Sequence, residues 1–498
     1  MSDKFGLRCG LIAGLVSVAL VMPASVTSQP VGIPSMGAAS SHELSPALER
    51  TLGNAIMEQG RRDPDYINDP EVSQYLTDLG RELVKHAPAG ASQHVTVFGL
   101  RDSSINAFAL PGGYIGIHSG LIASARSESE LVSVVAHEIA HVVQRHIARG
   151  MTQSSQSSHI LLASLVGALL AGLAGGGDLA MGVAAFGQAA AIDRQLGFSR
   201  QAEQEADRVG FQMMSRAGYD PRGMRDMFAR LASSSRLNEG VGGSVYTRTH
   251  PLSTQRLSDI ESRIRGHGVT HADNPTFWYV RAKLIVLQAR ASHSAARSLE
   301  ALERDATHAE GVQRQAARYG LAFAAFKQKQ FDVAAEHLDH LSAQLTTSPE
   351  VAALAVAIDL ERGRVAEALE ASRQAWAQWP QSQSIAMVRA EALQKSGDDQ
   401  KALAFLQERA SQWPDIPVWH RLRAHSYERL DEPISARRAM AQYYEDTGAL
   451  PTAVEHLQQA RNLTADFYLQ SELDVQIREI KERLMSQRAL LKRFERSG

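Results

Sequence analysis

The residues best suited to chemistry in this chain are His137-Glu138-Ile139-Ala140-His141. On a helix, positions i and i+4 share a face, so both imidazoles can be aimed at one metal ion. Glu138 projects beside the same point and can take a proton from water held there. Zinc lowers the pKa of such water from about 15.7 to roughly 7, which makes it a nucleophile toward a peptide carbonyl. A motif this short arises by accident in on the order of a few per cent of chains of this length, so its surroundings decide. Leu131, Val134, Val135, Ile139, Val142 and Val143 surround it and predict a helix packed into a core. Two histidines and a carboxylate are costly to bury without a partner, and a metal supplies one.

A catalytic zinc wants a third protein ligand and an open position. Glu203-Gln204-Glu205-Ala206-Asp207 offers the ligand. Glu203 and Asp207 are four apart on one helix face, so one can bind the metal while the other accepts the second ring N–H of a histidine. Glu205 is expected to point elsewhere and is the lesser candidate. His146, five residues past His141, falls off the metal face of a continuous helix and reads as surface or satisfied core. His118 sits at a strand end with no spaced partner.

The elements that must hold these groups follow from the pattern. Apolar residues recur at helical spacing from Ser45 to His86, interrupted at Asp63-Pro64 and Asp69-Pro70. Val95 to Phe98 alternates as a strand. Ile105 to Leu110, the turn Pro111-Gly112-Gly113 and Tyr114 to Ile117 read as a β-hairpin. Helical periodicity then runs from Glu128 through Ile147. Further helices are expected from Ser199 to Ala217, up to Leu237, and near Arg265, with a Gly-rich loop (Gly240 to Gly243) ahead of Thr249-His250-Pro251. The stretch 160–192 is strongly apolar. Its uninterrupted part, Ile160 to Ala174, is short of the roughly 20 residues a membrane span needs, so a buried helical hairpin is expected there, with peripheral membrane contact left open.

Beyond the boundary at 266–275 there is no strand signal. Ala334, Ala368, Ala402 and Ala436 stand 34 residues apart; Gly363 and Gly397, Leu369 and Leu403, and Trp379-Pro380 and Trp413-Pro414 keep the same spacing. That is the tetratricopeptide period, in which each helical pair buries its face only against its neighbours. The tryptophans at 376, 379 and 413 are expected to pack between repeats. Three segments result: 1–28, 29–268 and 269–498.

The first segment has the layout of a secretory signal. Lys4 and Arg8 precede an apolar run from Gly10 to Met22, and Val26-Thr27-Ser28 places cleavage near Ser28. Cys9 is the only cysteine and precedes the run, so the mature chain has no thiolate ligand, disulfide or cysteine nucleophile. Export to the periplasm is expected. A formal net charge of −2 over 498 residues leaves no basic excess to neutralise phosphates, which excludes nucleic acid as a partner.

Taken together, His137-Glu138-x-x-His141, Ser199-Arg200-x-x-Glu203-x-x-Ala206-Asp207, Thr249-His250-Pro251 with Arg256, Asn106 to Gly113 and Gly120-Leu121-Ile122 resemble the HtpX and CAAX-prenyl-protease family of zinc peptidases. No position that would carry chemistry departs from its pattern. With a signal segment ahead and repeats behind, the chain is most similar to the periplasmic, repeat-bearing members of that family. The resemblance implies an α+β zincin-like (gluzincin-type) metallopeptidase domain followed by an all-α tetratricopeptide solenoid. It implies one zinc ion per chain held by His137, His141 and Glu203, Glu138 as general base, and Asp207 behind the ligands. Asn106, Ala107, Phe108, Ala109 and Leu110 would form the sheet edge on which an extended substrate pairs. His250 would be a fourth ligand that keeps the enzyme latent; alternatively, His250 and Arg256 would stabilise the oxyanion. The expected function is a periplasmic zinc metalloendopeptidase that degrades misfolded or stalled outer-membrane proteins, its repeats engaging clients or the β-barrel assembly machinery. The alternative is mainly a repeat-domain chaperone or assembly adaptor whose protease site is rarely used.

Overall fold

The computed structural model describes residues 45–88, 94–153, 198–237, 245–265, 273–289, 292–342 and 348–497. The expected signal segment with Cys9 and Ser28, the apolar 160–192 stretch, the Gly240–Gly243 loop and residues 266–272 of the boundary lie outside the described residues.

Both leading helices start at a capped proline. In α1 (Pro46–Gly60) the Ser45 side chain accepts from the Leu48 amide, and in α2 (Pro70–Lys85) Asp69 accepts from Glu71 and Val72. Proline is tolerated at the first helical position because its missing N–H would have no helical acceptor there. The Asp69-Pro70 interruption is therefore a helix start.

Strands β1 (Thr96–Leu100), β2 (Ala107–Leu110) and β3 (Tyr114–His118) form a sheet in the order β1-β3-β2. The expected hairpin is β2–β3, antiparallel, and β1 joins β3 in parallel on its other side. Gly112 and Gly113 make the turn at φ 80° and 90°. A Cβ on Gly113 would fall 1.9 Å from the His94 carbonyl oxygen, so the turn admits only glycine there. This leaves β2 at the sheet edge, packed on α4 (Glu128–Val143) behind the short α3 (Ser119–Ser124).

The motif helix ends earlier than its periodicity predicts. Rather than continuing to Ile147, α4 stops at Val143; Arg145 takes a left-handed conformation at φ 53°, and α5 (His146–Gln153) restarts at the next residue. Helices α6 (Arg200–Arg216) and α7 (Arg222–Leu237) pack on α4. Gly210 makes the crossing close: a Cβ there would meet the Ala136–His137 backbone at 3.1 Å. Two short helices follow, α8 (Val245–Thr249) and α9 (Thr254–Ile264).

The all-helical remainder begins with α10 (Pro275–Leu287), mostly apolar with no single apolar face, as suits a helix buried along most of its length. It packs on α2 and α3 in one direction and on α12 (Gly311–Lys327) in the other, with α11 (Ser292–His308) alongside α12. Lys283 of α10 carries a charge into this joint. Its Nζ lies 2.8 Å from both Asp69 and Glu71, and Tyr319 of α12 donates to Glu71 at 2.6 Å.

The array continues through α13 (Phe331–Ser342), α14 (Pro349–Glu361), α15 (Val365–Gln378), α16 (Gln383–Lys395), α17 (Asp399–Gln412), α18 (Val418–Arg429), α19 (Pro433–Asp446), α20 (Leu450–Asn462) and α21 (Phe467–Ser497). The four alanines in register are buried at 0–1% exposure. The backbone keeps a second 34-residue register: Lys329, Gly363, Gly397 and Asp431 are all left-handed, at φ 60°, 76°, 85° and 58°. Each ends one helix and turns the chain toward the next. Trp376 packs edge-on to Phe405, and Trp413 stacks on Trp419. The array returns to the first helices: Gln74 donates to the Gln381 carbonyl, and Arg61 to that of Asp446. No helix among the described residues is long and apolar enough to cross a membrane.

Candidate metal centre

Helix α4 presents His137 and His141 one turn apart, and α6, crossing at Gly210, brings Glu203 opposite them. His250, just past α8, completes the group. One donor atom from each of the four lies within 4.8 Å of all the others, and all four side chains are buried. The Nε2 atoms of His137 and His141 are 3.0 Å apart. Glu203 lies 3.6 Å from His137 Nε2 and 3.4 Å from His141 Nε2, while His250 Nδ1 is 3.0 Å from Glu203 Oε1.

These residues fit a metal on their own chemistry. His137 turns its Nδ1 toward Asp207 at 3.0 Å, which places the proton there and leaves Nε2 a lone pair. Two imidazole nitrogens and a carboxylate then converge on one point, an arrangement stabilised by a shared cation, whether a proton or a metal ion. Both Glu138 oxygens and His250 Nε2 are buried without a hydrogen-bond partner, which is costly unless something polar is bound. Three buried carboxylates, Glu138, Glu203 and Asp207, face one guanidinium, Arg256, so the pocket is short of positive charge. Against the cost of burial, Asp207 and Glu203 push His137 up to about 9; His250 and the motif histidines hold Glu203 well below the usual carboxylate range. Both shifts report a pocket that favours a cation.

Arg256 is fully committed. Its Nε and Nη2 donate to the two Asp207 oxygens at 2.6 and 2.7 Å, and its Nη1 reaches the Pro251 carbonyl at 2.8 Å and Glu203 at 2.7 Å. A guanidinium with all three nitrogens spent on the carboxylates and backbone behind the cluster holds Asp207 and Glu203 in place. The oxyanion role offered as an alternative for Arg256 would need a donor beyond these, and its three nitrogens are engaged with Asp207, Glu203 and the Pro251 carbonyl. His250 Nε2 lies 3.5 Å from Glu138 Oε1, with the Tyr246 ring stacked on the His250 imidazole at 4.6 Å.

Asn106, Ala107, Phe108, Ala109 and Leu110 are brought to the sheet edge beside α4, all buried, with β3 as the only strand paired to β2 among the described residues. Three groups at the site were not foreseen. Tyr246 buries an unpartnered hydroxyl, and Phe198 stacks on His141 at 3.9 Å. His146 is satisfied core, as one expectation allowed, but its Nδ1 lies 2.8 Å from His141 Nδ1. The break at Arg145 turns it back onto the site. His118 likewise has a partner, Ser104 Oγ at 2.8 Å, away from the cluster.

The fold and this cluster define a metallopeptidase. Residues 70–264 match peptidase family M48, and residues 359–425 match the tetratricopeptide repeat. A protein of Escherichia coli K12 named β-barrel assembly-enhancing protease is 32% identical over 371 residues, 73% of this chain and 74% of its own length. A Vibrio cholerae protein provisionally given the same name is 35% identical over 323 residues, 64% of this chain and 65% of its own length. The mitochondrial metalloendopeptidase OMA1 of Schizosaccharomyces pombe is 33% identical over 164 residues, 32% of this chain and 44% of its own length. The chain belongs to peptidase family M48, in the branch that bears the name β-barrel assembly-enhancing protease.

Proposed function

We propose that this chain is a zinc-dependent endopeptidase of the periplasm, acting in assembly and quality control of outer-membrane β-barrel proteins and resting in a latent state set by His250. The observation that carries the chemistry is the convergence of His137, His141, Glu203 and His250 on one buried point. The names of the relatives support the setting, and the apolar run after Lys4 and Arg8 supports export with cleavage near Ser28. The working division is 29–268 for the peptidase and 269–498 for the repeats, which would engage clients or the assembly machinery along their length.

Zinc, when bound, supplies Lewis acidity: it polarises a carbonyl oxygen and lowers the pKa of water at the site to about 7. His137, His141 and Glu203 would hold it, with His250 as a further ligand at rest. Glu138, with both carboxylate oxygens unpartnered, takes the proton from the attacking water and returns it to the leaving nitrogen. Asp207, gripped by Arg256, keeps His137 in the tautomer that offers Nε2. An extended client lies along β2 from Asn106 to Leu110, on the side away from β3, a mode that reads backbone more than side chains.

Burial of every cluster residue favours a resting enzyme that must open, which also keeps the adaptor reading in view. The test is zinc content and cleavage of an unfolded outer-membrane protein by the parent and His250→Ala. One zinc per chain in both, with faster cleavage by the variant, is expected. A parent without zinc defeats the metal reading; an inactive but zinc-loaded variant defeats latency and points to an oxyanion role for His250. Full support of barrel assembly by Glu138→Gln would favour the adaptor.

A further inference from the structure

The two motif histidines are supported by unlike groups. His137 has a carboxylate behind it, Asp207, held by Arg256. His141 has no carboxylate at its Nδ1; it has His146, whose Nδ1 lies 2.8 Å away. His146 Nε2 in turn lies 3.3 Å from Glu205 Oε2, and that oxygen accepts from Arg149 Nη1 at 3.0 Å. We propose that His146, backed by Glu205 and Arg149, is a positioning relay that fixes the ring orientation and tautomer of His141 for metal binding.

The direction of every proton along this relay follows from its end. For His141 to offer its Nε2 lone pair to the cluster, its one proton must sit on Nδ1 and be donated. His146 Nδ1 must then accept, so the His146 proton sits on Nε2 and goes to Glu205. The carboxylate accepts it together with that of Arg149. Reversing the relay at His146 would set two protons face to face across 2.8 Å, so one tautomer is selected at both rings.

The backbone is shaped for this contact. In an uninterrupted helix, residue 146 would lie about 140° around the axis from residue 141, facing away. Arg145 breaks the helix in a conformation that non-glycine residues rarely adopt, and its guanidinium is anchored to Glu49 at 3.3 Å. His146 is thereby returned to the site, 2% exposed, with its ring edge-on to His141. Phe198 stacks on His141, closing one face of the ring. Helix α6 then serves the cluster three times: Glu203 faces it, Asp207 backs His137, and Glu205 backs His141 through His146.

This inference rests on the metal site proposed above, and its test separates the two. Zinc affinity of the full chain is measured by competition with a chromophoric chelator, with circular dichroism reporting folding. His146→Ala is expected to weaken binding about 10–100-fold. His146→Asn, whose amide oxygen can accept the His141 Nδ1–H, is expected to restore affinity to within about threefold of the parent. A role in packing alone would not distinguish Ala from Asn in this way. Affinity of His146→Ala within twofold of the parent, or Asn no better than Ala, overturns the relay. Should both His146 variants fail to fold, Glu205→Leu, which removes the acceptor for the His146 Nε2–H, decides: weaker zinc binding supports the relay, and unchanged binding overturns it. A parent that binds no zinc overturns the metal site and the relay together.

Discussion

Two of the buried charge clusters among the described residues are built on opposite principles. At the joint between α2, α10 and α12, Lys283 is 2.8 Å from Asp69 and Glu71, and Tyr319 donates its hydroxyl to Glu71. At the metal centre both oxygens of Glu138 lack a hydrogen bond, and His250 Nε2 stands 3.5 Å from one of them with no hydrogen bond of its own. A buried polar network that satisfies its own groups fixes a structure; one that leaves acceptors converging is unfinished until something binds. The contrast separates a joint from a site without appeal to any relative.

The largest effect is expected from removing Glu138, the proposed base of the metal centre. Glu138→Gln keeps the shape and loses the base, so cleavage should fall by about 10²–10⁴-fold with zinc content unchanged, as a peptide cleavage assay beside metal analysis would show. Comparable loss of zinc would mean that Glu138 belongs with the ligands. The joint should respond in stability instead. Lys283→Met strands two carboxylates and is expected to cost about 3–5 kcal/mol in denaturant unfolding, while the double variant Lys283→Met/Glu71→Leu recovers part of that loss. Equal losses in single and double variants would deny the coupling.

The joint also predicts a pH dependence. Burial pushes Glu71 up to about 7 despite the pull of Lys283, so the folded state binds its proton more tightly than the unfolded chain does. That contribution to stability is fully present below about 4.5 and is lost as pH rises through about 7. Unfolding midpoints across this range should show the decline in the parent and less of it in Glu71→Gln; parallel profiles would contradict it. The smallest effect lies in the repeats. Lys329→Gly and Asp431→Gly should each raise stability by up to about 1 kcal/mol, since only glycine takes the left-handed turn without a steric cost.

Much of this was legible in the sequence because the chemistry sits at fixed spacings on regular elements. His137, His141, Glu203 and Asp207 are placed by helical geometry alone, and the register from Ala334 to Ala436 needs only a repeat of one packing surface. Where reading failed, the backbone left the regular path. Periodicity carried the motif helix on to Ile147, and the left-handed Arg145 that ends it is a residue with no sequence signal for that conformation. The contact between His146 and His141 was lost with it. The roles of Tyr246 and Phe198 were illegible because an aromatic ring carries no spacing signal for a metal site, even a few residues from His250 and Glu203 on the same segments. Arg256 was seen near the site, but residue type does not tell which face of a cluster a guanidinium approaches.

The left-handed positions of the array have one more consequence. Lys329, Gly363, Gly397 and Asp431 share a conformation while sharing no residue type across all four. The spacing of the array is therefore carried by torsion angles, and identity at these turns is free to drift toward charge or solubility as long as the bend survives. Scanning such a chain for recurring glycines undercounts its units, whereas scanning its Ramachandran angles finds them. For engineers who wish to lengthen or shorten the solenoid, the natural cutting points are these bends, one per 34 residues, rather than the alanines that fill its core.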